Sequence, residues 1–318
     1  MRLVAAALLA IACSSVNAQA YPARPLRVIV PQPPGGGFDL VARTLSEPFA
    51  ALLGQPVIVE NRPGGGTVVG TDLVAKADAD GYTLLLGASA NLAFSPGLYR
   101  KLPYDPKSDF VPIGLAAGFA YTLVARSDFP LHSLKEIVDY ARANPGKLTY
   151  ASAGNGSGQH ICAALVWHLA GVSLTHVPYK GAQAAYQDLI PGRVDVFFDA
   201  SATARGQVEG GRVKPLAVSG AARLPYHPNV STVRETGVLD FEIESWAGYF
   251  VRAGTPEPVL ARLRADFDKV VSSPEIAASF EKRGARPIRL SVRETEALVA
   301  REIDKWTRLI RNAGLNAD

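Results

Sequence analysis

Cysteine is almost missing from this 318-residue chain, which has only Cys13 and Cys162. Cys13 falls inside an N-terminal leader, so the mature chain keeps one thiol and no intramolecular disulfide can form. A lone thiol of this kind is expected to be buried. Long apolar runs are missing too: the longest, Leu3–Cys13, is too short to cross a bilayer as a helix. Lys and Arg outnumber Asp and Glu by 33 to 29. They form no dense block and do not interleave with aromatic residues, which sets nucleic acid aside. The five histidines (132, 160, 168, 176, 227) make no HxxxH or HExxH pair, and no acidic cluster joins them, so no metal site is expected. No GxxxxGK[ST] occurs and "GGGFDL" lacks dinucleotide-loop spacing, so no nucleotide or other cofactor is expected.

What is present begins with "MRLVAAALLAIACSSVNAQA". A single Arg2, an apolar stretch and small residues near Ala18–Ala20 make residues 1–20 a secretory signal, and the mature chain is expected in the periplasm. A lipid anchor on Cys13 is the rival reading. It is weakened by Ala at the first position of "AIAC", where a large aliphatic is preferred. The remaining ~300 residues suit one large or two medium domains.

Short β-type runs alternate with helical patterns. "RVIV" (27–30) precedes an amphipathic stretch at 38–53, then "PVIVE" (56–60), a helix at 67–76 and "YTLLLG" (82–87). The order repeats with "KLTYAS" (147–152), helix 159–170, "LTHVPY" (174–179), helix 182–190, "VDVFFD" (194–199), helix 201–209 and "PLAVSG" (215–220). This predicts an α/β fold of two lobes, each a mostly parallel sheet flanked by helices. "FAYTLVARSDFP" (119–130) reads as the crossing between lobes and "IESWAGYFVRAGTP" (243–256) as the return. The expected partition is 21–122 plus 247–318 for lobe one and 123–246 for lobe two, with a double-stranded hinge. The tail from Pro258 reads as helices; the last opens at Ser291 and stops near Gly314.

In such sheets ligands lie beyond the carboxyl ends of the strands. Two loops there are glycine-rich and run straight into helices: "PPGGGFD" and "SAGNGSGQH". Bare backbone can approach a ligand closely, and helix N-termini offer N–H groups to a carboxylate or phosphate. Asp39 and Ser157 or Asn155 read as caps. A third loop, "RPGGGTVVG" (62–70), follows an edge strand and reads as a tight turn. "GASAN" begins like a nucleophile elbow at Ser89, but its second glycine is missing. A serine hydrolase would need His160 or His176 and Asp199 to converge on Ser89, which nothing in the spacing demands. Asp199 reads equally as a ligand partner or as a cap for the next helix. His160 reads equally as a loop-orienting residue or a local one.

Six blocks, "YPARPLRVIVPQPPGGGFDLVAR", "VENRPGGGTVVGTDLVAKADADGYTLLLG", "LYRKLPYDPKSDFVPI", "YASAGNGSGQHICAAL", "HVPYKGAQAAYQDLIPGRVDVFFD" and "WAGYFVRAGTPEPV", resemble the Bug family of extracytoplasmic solute receptors of the tripartite tricarboxylate transporters. The resemblance runs in order from Tyr21 almost to the C-terminus. It implies a two-lobed "Venus flytrap" of the type II-like periplasmic binding protein class that closes on a small carboxylate-bearing solute; a monomer is expected. It also implies a membrane permease of that type as partner, or alternatively a sensor kinase. Carried over, the ligand-binding positions are Gln32, Pro33, Pro34, Gly35, Gly36, Gly37 and Asp39 in one loop. Ala153, Gly154, Asn155, Gly156, Ser157 and His160 form the other, with Ser89, Ala90 and Asp199 as further lining and no catalytic residue. This chain departs from the family with Gln32 in place of a frequent Phe and Ala200 in place of a common Asn. It also has Ala164-Leu165-Val166 where Glu–Leu–Phe is frequent. The differences at Gln32 and Ala200 bear on which solute is held.

Overall fold

The computed structural model describes residues 21–317. The leader and Cys13 lie outside the described residues.

The chain opens with strand β1 (Leu26–Val30), helix α1 (Gly37–Leu53) and β2 (Val57–Asn61). Helix α2 (Val68–Ala75) leads to β3 (Thr83–Ala88), a π-type turn at Ser89–Phe94, and the short α3 (Ser95–Leu98). Then comes the 17-residue strand β4 (Phe110–Arg126). Helix α4 (Leu134–Ala143), β5 (Thr149–Ser152), α5 (Gly158–Leu169), β6 (Thr175–Pro178) and α6 (Ala182–Leu189) follow. Next are β7 (Val196–Ala200), α7 (Ser201–Glu209), β8 (Val213–Val218) and β9 (Glu244–Arg252). The chain ends with α8 (Glu257–Val271), α9 (Pro274–Lys282), β10 (Arg286–Pro287) and α10 (Val292–Asn312). Helix α4 lies outside the elements expected from sequence, although Ser133 caps it by accepting from the Glu136 N–H.

The strands lie in the order β2-β1-β3-β9-β4-β7-β5-β6. In the first half-sheet β1 runs parallel to both β2 and β3, and in the second β5 runs parallel to both β6 and β7. Strands β4 and β9 are antiparallel to their neighbours, so each half is mixed around a parallel core. Strand β4 joins the halves. Its residues through Ala120 pair with β9, and from Tyr121 onward they pair with β7 and β8.

Helix α1 owes its position to an apolar stripe of Phe38, Val41, Leu45 and Phe49. Phe49 sits edge-on to Phe267 of α8 at 5.9 Å between ring centroids. The C-terminal α10 starts with a reciprocal Ser291–Glu294 cap. It packs back on the first half: Trp306 lies edge-on to Phe94 at 5.2 Å, and a Cβ on Gly97 would stand 2.9 Å from Ile310 Cβ. Cys162 is buried, as expected of a lone thiol. Among the described residues, no helix is long and apolar enough to cross a membrane.

Candidate functional site

The loops after β1, β2 and β5 meet at a cavity of about 540 Å³. All three leave the carboxyl ends of parallel strands, where open α/β sheets place their ligands.

The loop after β1 is pinned from within. The Asp39 carboxylate accepts from the Gly35 N–H at 3.0 Å, from Arg43 Nε at 3.0 Å and from Asn61 Nδ2 at 3.0 Å. The Asn61 amide also reaches the Gln32 carbonyl at 3.1 Å. Burial pushes the Asp39 carboxyl up, but these donors outweigh it and hold the group below its ordinary range. Asp39 is thus fully occupied in shaping the loop. Gly37 is packed under Phe119 and Ala200, whose atoms would stand 3.2 Å and 3.5 Å from a Cβ there. No side chain caps α1 at Gly36.

The loop after β2 contributes more than a turn. Four successive residues, Gly64, Gly65, Gly66 and Thr67, take positive φ values of 140°, 53°, 60° and 106°. This curl, open to glycine and costly for other residues, folds Pro63–Thr67 back over the cavity. Tyr99 Oη donates to the Gly65 carbonyl at 2.7 Å. The Thr67 hydroxyl is buried without a partner among the described residues, and Thr67 borders the cavity.

The loop after β5 is held by three local bonds. The Gly154 N–H donates to Ser152 Oγ, the Gly156 N–H to His160 Nδ1, and the His160 N–H to Ser157 Oγ, each at 3.2 Å. The His160 ring stacks on His176 at 4.2 Å between centroids, and His176 stacks on Tyr150 at 4.8 Å. Burial, with the neighbouring His176, pushes His160 down to about 3, and burial pushes His176 down to about 4. Both rings are therefore neutral near pH 7, which leaves His160 Nδ1 free to accept.

Among the described residues, the N–H groups of Gly65, Gly66, Ala153 and Asn155 have no acceptor. All four residues line the cavity. Unspent main-chain donors flanking one half-open cleft suit an anion. Of the positions named from sequence, Gln32, Pro33, Ala153, Gly154, Asn155 and Ser157 line that space. Pro34, Gly35, Gly36, Gly37, Asp39, Gly156 and His160 lie in or under the same two loops without lining it.

Ser89, Ala90 and Asp199 are placed elsewhere. Ser89 and Ala90 are fully buried, and Ser89 Oγ accepts from the Trp246 N–H at 3.0 Å. The Asp199 carboxylate accepts from Thr203 Oγ1 (2.6 Å), Tyr186 Oη (2.8 Å), Gln159 Nε2 (3.3 Å) and the Ala200 N–H (2.8 Å). Burial pushes its carboxyl up to about 6 against these four donors. The loop at 62–70, read as a tight turn, supplies Pro63–Thr67 to the cavity. The signal that could have found it is its run of three glycines, equal to that at 35–37.

The half-sheets touch across the cavity. A Cβ on Gly66 would lie 2.3 Å from the Asn155 carbonyl oxygen, and one on Gly181 would lie 3.4 Å from Pro33.

The sequence profile of the family described as "Tripartite tricarboxylate transporter family receptor" matches residues 41–315. The chain belongs to this family. It is 38% identical over 321 residues to a Pseudomonas sp. (strain P51) protein described as "UPF0065 protein in tcbD-tcbE intergenic region", covering 100% of this chain and 95% of the other. Its fold matches that of the periplasmic binding protein BugD with a TM-score of 0.87 at 35% identity, covering 93% and 99% of the two chains. It also matches MatC from Rhodopseudomonas palustris, solved with bound malate, with a TM-score of 0.86 at 33% identity, covering 91% and 100%. The receptor has the α/β periplasmic binding protein fold, and its family is one of solute receptors.

Proposed function

We propose that this receptor holds a small carboxylate-bearing organic anion in the cavity between the loops after β2 and β5. The observation that carries the reading is the group of unspent N–H groups beside one space of about 540 Å³, those of Gly65, Gly66, Ala153 and Asn155 among them. Charge-assisted hydrogen bonds contribute about 1.5–3 kcal/mol each. A few of them, after association costs, give affinity near the micromolar range, roughly −8 kcal/mol. MatC, which shares the fold, holds malate.

In this reading the two half-sheets are lobes, 21–122 plus 247–318 and 123–246, and β4 and β9 form the hinge. The switch of β4 pairing partners between Ala120 and Tyr121 supports that division. The receptor works in the periplasm after removal of residues 1–20, as a monomer, and passes its solute to a permease of the tripartite tricarboxylate type. It catalyses no reaction on that solute. Calorimetric titration with a panel of mono-, di- and tricarboxylates tests the reading. Saturable binding of at least one acid at micromolar concentration is expected. Absence of heat and of thermal stabilisation across the panel would overturn it.

A further inference from the structure

Among the described residues, Lys180 is the only one lining the cavity that carries a formal charge. It is exposed, and among the described residues it forms no hydrogen bond or ion pair. Its backbone position is fixed from both sides. The Tyr179 N–H donates to the Ser152 carbonyl at 3.1 Å, tying the segment to the end of β5. Gly181, with φ of 106°, starts α6 and packs against Pro33 of the opposite loop. The nearest acid in sequence is already engaged: Asp188 accepts from Tyr179 Oη at 2.9 Å and from Arg193 at 2.9 Å. The cavity therefore joins a rim of neutral main-chain donors to one unpaired ammonium.

We propose that Lys180 is the specificity-determining residue of this cavity, its ammonium taking a second negative group on a ligand whose first carboxylate sits on the Gly65/Gly66 and Ala153/Asn155 N–H groups. A lysine suits this task because its charge sits on a flexible stem that adapts to the position of the second group. With no acid among the described lining residues, a dianion meets attraction at both ends and a monoanion at one only. A long exposed stem makes the gain moderate and sensitive to salt. The inference rests on the organic-anion reading above.

The test is titration of the wild-type protein, Lys180→Gln and Lys180→Arg with glutarate and with pentanoate, which match in length and differ by one carboxylate. Wild type should bind glutarate roughly tenfold or more tighter than pentanoate, a ratio equivalent to about 1.4 kcal/mol or more. Lys180→Gln should lose that ratio by weakening glutarate alone, Lys180→Arg should keep most of it, and added salt should shrink it in wild type and Lys180→Arg but not in Lys180→Gln. Equal loss of both acids in Lys180→Gln, or no loss of either, overturns the role of Lys180 while leaving the anion site standing. Failure of wild type to bind either acid, or any acid of the wider panel, removes the anion reading and this inference together. An unchanged melting temperature for Lys180→Gln excludes misfolding as the cause of any loss.

Discussion

Gly66 and Asn155 face each other across the cavity so closely that a Cβ on Gly66 would stand 2.3 Å from the Asn155 carbonyl oxygen. They belong to loops on different half-sheets, so in the proposed two-lobe reading this contact belongs to the closed form. Gly66→Ala should therefore impair closure as well as strain its own backbone, whose φ is 60°. A left-handed alanine costs about 1–2 kcal/mol. We expect a melting temperature a few degrees lower and carboxylate binding weakened by tenfold or more. Gly206→Ala, with open space around its Cβ at an exposed position of α7, is the matched control and should be neutral or slightly stabilising. Calorimetry on both variants checks this, and unchanged affinity in Gly66→Ala would remove the closing role.

The stacked His160–His176 pair should make the protein sensitive to acid. Both folded values, about 3 and about 4, lie below the ordinary 6.5. The unfolded chain therefore takes up these protons first. Stability from the neutral rings is complete above about pH 6.5 and drains away as pH falls toward 4, by on the order of 3 kcal/mol for His160. Asp199 opposes this, because its raised value of about 6 relieves a buried charge as pH falls below that point. Melting temperature followed from pH 7 to pH 4.5 should fall more steeply in wild type than in His160→Asn. Parallel curves would show that His160 does not titrate this way.

Asp39→Ala should loosen the loop after β1 without touching the cavity lining. It strands the Gly35 N–H and one Asn61 bond, and leaves Arg43 only its bond to Asn61 Oδ1. The expected cost is about 2–3 kcal/mol. Ligand-induced stabilisation should shrink as the loop loses its anchor. Denaturant melts with and without a bound acid measure both effects, and a loss below about 0.5 kcal/mol would mean that the carboxylate is not what pins the loop.

Ser89→Ala separates a structural hydroxyl from a nucleophile. Removing Oγ leaves the buried Trp246 N–H without its acceptor, which costs about 1–3 kcal/mol. Hydrolysis of small generic esters should be at background in wild type and variant alike. Turnover that disappears in Ser89→Ala would overturn the receptor reading in favour of an esterase.

Much of this molecule was legible residue by residue. The apolar runs at 27–30 and 194–199, the amphipathic stretches at 38–53 and 201–209, and the glycine loop before α5 fall within a few residues of the observed elements. Such features depend on side-chain period and turn chemistry over short spans of chain. The use made of the polar groups was not legible. Asp199 is spent on Tyr186, Thr203 and Gln159, Ser89 on a backbone group 157 residues away, and the loop after β2 joins the cavity by meeting Asn155.

By itself the sequence determined most of the alternation of strands and helices and the bare glycine loops at strand ends. Only the tertiary structure decided which N–H groups stay unspent, which carboxylates are consumed internally and that Lys180 stands beside the cavity with no partner among the described residues. The physical reason is that a hydrogen bond is satisfied by whatever lies within about 3 Å, and in this sheet those neighbours arrive from distant parts of the chain.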